Sequence, residues 1–193
     1  MTHRILGVDP GLRVTGYGVI DVVSGRPSLV EAGVVAPNIR GTLEERLREL
    51  HEGISAVVSA TQPHVMVIEE LYTTYKNPLT AIMMGHARGV LCLAGAQHRV
   101  PVHKLAHSLV KRALIGSGAA RKDQVNQMVT HLLGLRRRPQ PNDVSDALAL
   151  AIAFANIRDD RRGMVAVARH GDPSTSSGLR QVEARRRSRV EAP

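Results

Sequence analysis

Tryptophan is absent from this 193-residue chain, and one phenylalanine, three tyrosines and one cysteine are all it has of those types. Cys92 has no partner for an internal disulfide, so the fold must rest on its own core, and a reducing cytosol suits it better than an oxidising exterior. No charged leader followed by a long apolar segment stands at the N-terminus; no secretory signal is expected, and the expected location is cytoplasmic. The most apolar window, residues 79–96, approaches the length of a membrane span. His86, Arg88 and several glycines interrupt it, so the reading is a buried helix with no membrane partner. Zinc-type ligand sets are missing too. His103 and His107 lie four apart, yet neither a zincin glutamate nor supporting cysteines accompany them, and they read as surface or packing side chains.

What the chain does have is positive charge. Lys and Arg number 26 against 17 Asp and Glu, a formal net charge of +9, which calls for a polyanionic partner. From Arg158 onward nine Arg face five acids, leaving 17 basic and 12 acidic residues before it, so the excess is not confined to the C-terminal segment. Hydrophobic residues make up 43%, enough for one substantial core. The expected organisation is one α/β domain over residues 1–157 and a basic, disordered tail over 158–193, where periodicity stops and Gly, Ser, Pro and Arg dominate.

Short apolar runs at residues 4–9, 15–22 and 29–35, separated by Pro10-Gly11 and by Ser24-Gly25-Arg26-Pro27, predict an antiparallel meander. Leu43, Leu47, Leu50, Ile54 and Val57 recur at helical spacing over residues 42–60, with Glu45, Arg46, Arg48 and Glu49 toward solvent. Residues 65–69 form a continuous apolar run, expected as a central strand covered on both faces and parallel to its neighbour. A helix over 78–98 is apolar or small almost all round, predicting one face on the sheet and another against a second subunit. A strand over 101–105 and helices over 107–115, 122–133 and 143–157 complete the pattern.

Two of the apolar runs end in an acid. Asp9 follows Ile5–Val8 and Glu69 follows Val65–Ile68, and as parallel neighbours they would emerge at one sheet edge, where α/β folds place ligands. Asp143 and Asp146 lie three apart at the start of an apolar helix and share one face of it. Taken singly, Asp143 would serve as a helix cap, Asp146 would suit the positive helix end, and Asp9 would suit a turn. Taken together, four carboxylates need compensation, and an all-oxygen donor set suits Mg²⁺, with Mn²⁺ as a substitute, better than zinc. Two such ions would support phosphodiester hydrolysis.

The stretches "ILGVDPGLRVTGYGVI", "VIEELYTTYKNP", "GHARGVL", "VKRALIGSGAARKDQV" and "NDVSDALALAIA" resemble, in order, those of the RuvC family of Holliday-junction resolvases. The resemblance implies a ribonuclease H-like fold, with a central mixed five-stranded sheet flanked by helices. It implies that Asp9, Glu69, Asp143 and Asp146 are the metal-binding, catalytic acids of a structure-selective endonuclease. It also implies a homodimer on four-way junction DNA, symmetric nicks with 5′-phosphate and 3′-hydroxyl ends, and a RuvA–RuvB branch-migration partner.

The same matching aligns Lys111 and Lys122 with basic residues near the scissile phosphate, Lys122 among the catalytic set, and Tyr72 with an aromatic that stacks at the junction centre. Only four lysines are present, and Tyr72 and Tyr75 are half of the aromatic supply. Arg136, Arg137 and Arg138 depart from the family pattern; the run would either grip phosphate or solvate a loop, and the predicted substrate favours phosphate contacts. The general base stays open among a metal-held hydroxide, Asp143 and Lys122. Two rival readings remain: an actin-like phosphotransferase, because "DPGLRVTGYG" superficially fits its phosphate loop, and a junction-binding protein without catalysis.

Overall fold

Alternating apolar residues decide which way each strand faces. The computed structural model describes residues 2–70 and 78–170, with side chains as far as Arg158. Its strands are β1 (His3–Asp9), β2 (Thr15–Val23), β3 (Arg26–Val35), β4 (Val65–Glu69) and β5 (Val102–Leu105). They form one sheet in the order β3-β2-β1-β4-β5. β1, β2 and β3 pair antiparallel, whereas β4 runs parallel to both β1 and β5. Helices α1 (Leu43–Thr61) and α2 (Pro78–Gln97) link the parallel strands; α3 (His107–Ile115), α4 (Lys122–Leu132) and α5 (Asn142–His170) follow β5.

The period of two splits the core into two layers. Leu6, Val8, Val19, Met66 and Ile68 pack with Leu50, Ile54 and Val58 of α1 and with Ala87, Leu91 and Ala94 of α2. Ile5, Ile20, Val65 and Val67 pack with Val110, Leu114, Val125, Val129, Leu148 and Ile152 from α3, α4 and α5. β4 therefore contributes to both layers, as its unbroken apolar run predicts. Parity carries the consequence. Asp9 continues the Ile5–Gly7 face and Glu69 the Val65–Val67 face, so both acids turn toward the layer of α3, α4 and α5.

How closely α5 lies on the sheet depends on two glycines. A Cβ on Gly7 would collide with the Ala147 carbonyl, and one on Gly16 with the backbone of Asp143. Without side chains there, the first turns of α5 rest directly on β1 and β2 and bring Asp143 to the end of β1. The β1–β2 turn is held by Thr15, whose buried hydroxyl donates to the Gly11 carbonyl at 2.6 Å and accepts from the Gly11 N–H at 3.0 Å.

Several boundaries move from the sequence expectation. Ser24 and Gly25 alone make the β2–β3 turn, both at positive φ, so Arg26 and Pro27 belong to β3; its edge position tolerates the proline. Thr42 caps α1 through a capping box with Glu45 rather than forming its first turn. Arg46, expected toward solvent, instead reaches the Leu12 carbonyl. The backbone of α5 stays helical to His170, not Ile157, because the apolar stripe ends at Ile157 while Arg, Ala and Met, all good helix formers, continue. Residues up to Arg158 form one compact unit.

Candidate active site

Pairing Val8 with Ile68 places Asp9 and Glu69 side by side at the carboxyl ends of the two central strands. Asp143 and Asp146 occupy the first two turns of α5 above them. The four acids come near enough to feel one another. Withdrawal from water, and then the charges of Glu69, Asp146 and Asp143, push the Asp9 carboxyl up to about 8, against a smaller downward pull from Lys122. At neutral pH the site therefore holds Asp9 largely protonated unless a cation arrives.

Two of the outer acids, Asp146 and Glu69, have a side-chain partner. Lys122, at the start of α4, donates from Nζ to Asp146 Oδ2 at 2.6 Å. Partial burial works to lower the Lys122 pKa, but the hydrogen bond and charge of Asp146, with Asp9 and Asp143, outweigh it and hold the ammonium above its ordinary value. Lys122 thus enters the site as a cation, suited to meeting phosphate charge and not to abstracting a proton. Glu69 Oε1 lies 2.8 Å from His107 Nδ1. With those partners engaged, no three His, Cys, Asp or Glu side chains among the described residues stand close enough to share one ion. The donors are nonetheless oxygen throughout, and the repulsion on Asp9 is what a divalent cation relieves, so in kind and charge the set fits Mg²⁺ or Mn²⁺.

Of the four acids, Glu69 and Asp146 line a cleft of about 230 Å³, with His107, Lys111 and Lys122 and an apolar floor that includes Val110 and Val125; Asp143 lines a separate cavity beside Gly11 and Arg46. Lys111 is half-buried in its wall, and Lys122 is half-exposed at its rim. Arg136, Arg137 and Arg138 are exposed in the α4–α5 loop; Arg138 contacts Asp123 at 3.2 Å, and none of the three lines this cleft. Tyr72 and Tyr75 lie outside the described residues.

Four residues that contribute here escaped the sequence reading. His107, read as a surface or packing side chain, touches Glu69, whereas His103 does pack, its ring 4.9 Å from Phe154. Arg88 is buried at 8% exposure and donates to the Glu69 carbonyl at 2.7 Å. A charge breaking so apolar a helix was the available signal. Asn126 and Ser145, both buried, share a hydrogen bond of 2.9 Å that ties α4 to α5 one turn from the Lys122–Asp146 pair. Nothing in their spacing pairs them.

A mixed sheet of this order, with acids gathered at the carboxyl ends of its two central strands, defines the ribonuclease H-like class of nuclease folds. Residues 5–154 match the family described as "Crossover junction endodeoxyribonuclease RuvC". A protein of that name from Rhodopirellula baltica is 46% identical over 148 residues, covering 77% of this chain and 83% of its own. Another, from Paramagnetospirillum magneticum, is 43% identical over 168 residues, 86% and 99% of the two chains. Among solved structures, Thermus thermophilus RuvC in complex with a Holliday junction substrate superposes with a TM-score of 0.78 at 31% identity, covering 82% of this chain and 96% of that one. The chain belongs to the RuvC family.

Proposed function

We infer that the chain is a Holliday-junction resolvase, a metal-dependent endonuclease that nicks four-way DNA junctions during recombination and repair. The observation that carries this reading is the gathering of four carboxylates at the ends of β1 and β4 and the start of α5, where burial and then mutual repulsion raise Asp9, in a chain matched to the RuvC family over residues 5–154. That family match sets aside the actin-like reading of the DPG turn.

Asp9, Glu69, Asp143 and Asp146 would hold the cations, two Mg²⁺ by our proposal, with Mn²⁺ as substitute. When bound, the metal pair supplies a water nucleophile at neutral pH and stabilises the charge on the leaving oxygen. With a cation offsetting the other acids, Asp9 would release its proton to solvent and serve as a ligand. Lys122, held cationic, turns from Asp146 toward the scissile phosphate and stabilises its developing charge, and Lys111 does the same from the α3 wall. Lys122, being protonated, would not act as the base; among the chain's own residues that role would fall to Asp143. Arg136, Arg137 and Arg138 take flanking duplex phosphates at positions that carry no sequence information. Tyr72 stacks on an unpaired base at the crossover.

Two symmetric nicks require two sites, and α2 supports a homodimer. Leu79, Ile82 and Leu93 are exposed on it at 63%, 56% and 49%, and Gly85 and Gly89 leave open space between them for a second helix. We place the nuclease domain at residues 1–157, with the basic segment 158–193 as an additional electrostatic contact. A cytoplasmic location and a RuvA–RuvB partner follow from the same reading. The test is a labelled synthetic four-way junction with Mg²⁺. Wild type cuts it, whereas Glu69→Gln binds it and leaves it whole; binding without cleavage by wild type would support the architectural alternative.

A further inference from the structure

Glu69 is gripped from three directions. The Glu70 N–H donates to the Leu105 carbonyl at 2.8 Å, which continues the β4–β5 ladder past Glu69. On the α2 side, Arg88 donates to the Glu69 carbonyl at 2.7 Å; for a buried guanidinium, this contact ties the end of β4 to the helix beneath it. On the opposite face stands His107, the first residue of α3, with Nδ1 at 2.8 Å from Glu69 Oε1. A carboxylate only accepts hydrogen bonds, so Nδ1 carries the hydrogen and donates, whichever protonation state the ring has. Once the first two contacts have fixed the backbone, the side-chain torsions are what remain free, and His107 is the group that sets them.

We propose that His107 is a positioning residue for the cation site: its Nδ1–H holds Glu69 Oε1 and so presents the second carboxylate oxygen to the metal. The inference rests on the reading of Glu69 as a ligand. Its physical basis is pre-organisation. A long, partly exposed glutamate loses rotamer freedom when it captures an ion, and a carboxylate already ordered by a hydrogen bond has met that cost beforehand. α3 is well placed to do this, because Val110 and Leu114 anchor it in the core while His107 and Lys111, one turn apart, line the same cleft. The His107 side chain is 48% exposed, so replacing it disturbs little packing.

The experiment is Mn²⁺ binding to the full-length chain without DNA, followed by EPR, for wild type, His107→Phe, His107→Asn and Glu69→Gln, with melting in EDTA as a check on folding. Phe keeps a ring and loses the donor; the Asn amide places an N–H near the position of Nδ1. We expect His107→Phe to weaken Mn²⁺ binding about 10-fold or more. His107→Asn should restore binding to within about 3-fold of wild type, with both melting temperatures unchanged. Wild-type affinity in His107→Phe beside weakened Glu69→Gln would overturn the proposal alone, and so would His107→Asn binding no better than His107→Phe. Unchanged binding in Glu69→Gln would overturn the ligand reading and the proposal with it.

Discussion

Removing the carboxylate at the centre of the site should make the metal-free protein more stable, and the gain should depend on pH. Asp9 has its carboxyl raised from 3.8 to about 8, first by burial and then by Glu69, Asp146 and Asp143. A folded-state value above the unfolded one means the folded chain binds the extra proton between those two limits. Stability is therefore intact below about pH 4 and falls steadily as pH rises toward 8. At 1.36 kcal/mol for each tenfold step, the full penalty is roughly 6 kcal/mol. Side-chain relaxation and water entering the cleft reduce it, so Asp9→Asn should gain about 2 kcal/mol at pH 8 in EDTA, or about 4–8 °C in melting temperature for a domain of this size. At pH 5.5 only about two-fifths of the penalty is in place, and the gain should shrink to roughly 2–3 °C. Differential scanning calorimetry at the two pH values reads both numbers. No gain at pH 8, or an equal gain at both, would refute the picture of a carboxylate group waiting for a cation.

Further outcomes follow from the same geometry. Gly16→Ala drives a methyl into the backbone of Asp143, so it should cost about 1–3 kcal/mol in urea unfolding and abolish junction cleavage by lifting the start of α5. If Lys122 meets the developing phosphate charge as proposed, Lys122→Met should lower single-turnover cleavage about 10²-fold with junction affinity reduced far less. At the far end of the sheet, Arg4 binds Asp21 through two hydrogen bonds of 2.8 Å, and that pairing lowers the Asp21 carboxyl. The stability it adds is present above the unfolded value and is lost as pH falls through the lower folded one. Asp21→Asn should therefore cost about 1 kcal/mol at pH 7 and nothing near pH 2, by chemical denaturation at each pH. Each of Lys111, Arg136, Arg137 and Arg138 that contacts a duplex phosphate should, when replaced by Ala, reduce the slope of log affinity against log salt by about 0.9.

The parts of this protein that could be read from residues alone were those carried by local pattern. Period-two runs and helical spacing place the five strands and five helices of the described residues, and the acids ending β1 and β4 fall on one edge because strand parity and parallel pairing leave them nowhere else. The mistakes came where structure depends on a partner distant in sequence. His107 looked idle because Glu69 lies 38 residues away. Arg46 looked solvated because the Leu12 carbonyl is 34 residues away. Nothing near Gly7 and Gly16 in sequence marks them as close-approach positions, because what lies against them is α5, far along the chain. The end of α5 was missed for a different reason: amphipathic pattern reports where a helix stops being buried, not where it stops being a helix.

The central claim is that this group of acids cuts junction DNA, and the most direct measurement is nick mapping on a synthetic four-way junction labelled in turn on each strand. With Mg²⁺, wild type should nick two opposing strands at symmetric positions and yield duplexes that DNA ligase seals without further treatment, while Asp9→Asn binds the same junction and leaves every strand intact. Nicks on only one strand, ends that ligase cannot seal, or undiminished cleavage by Asp9→Asn would contradict the account.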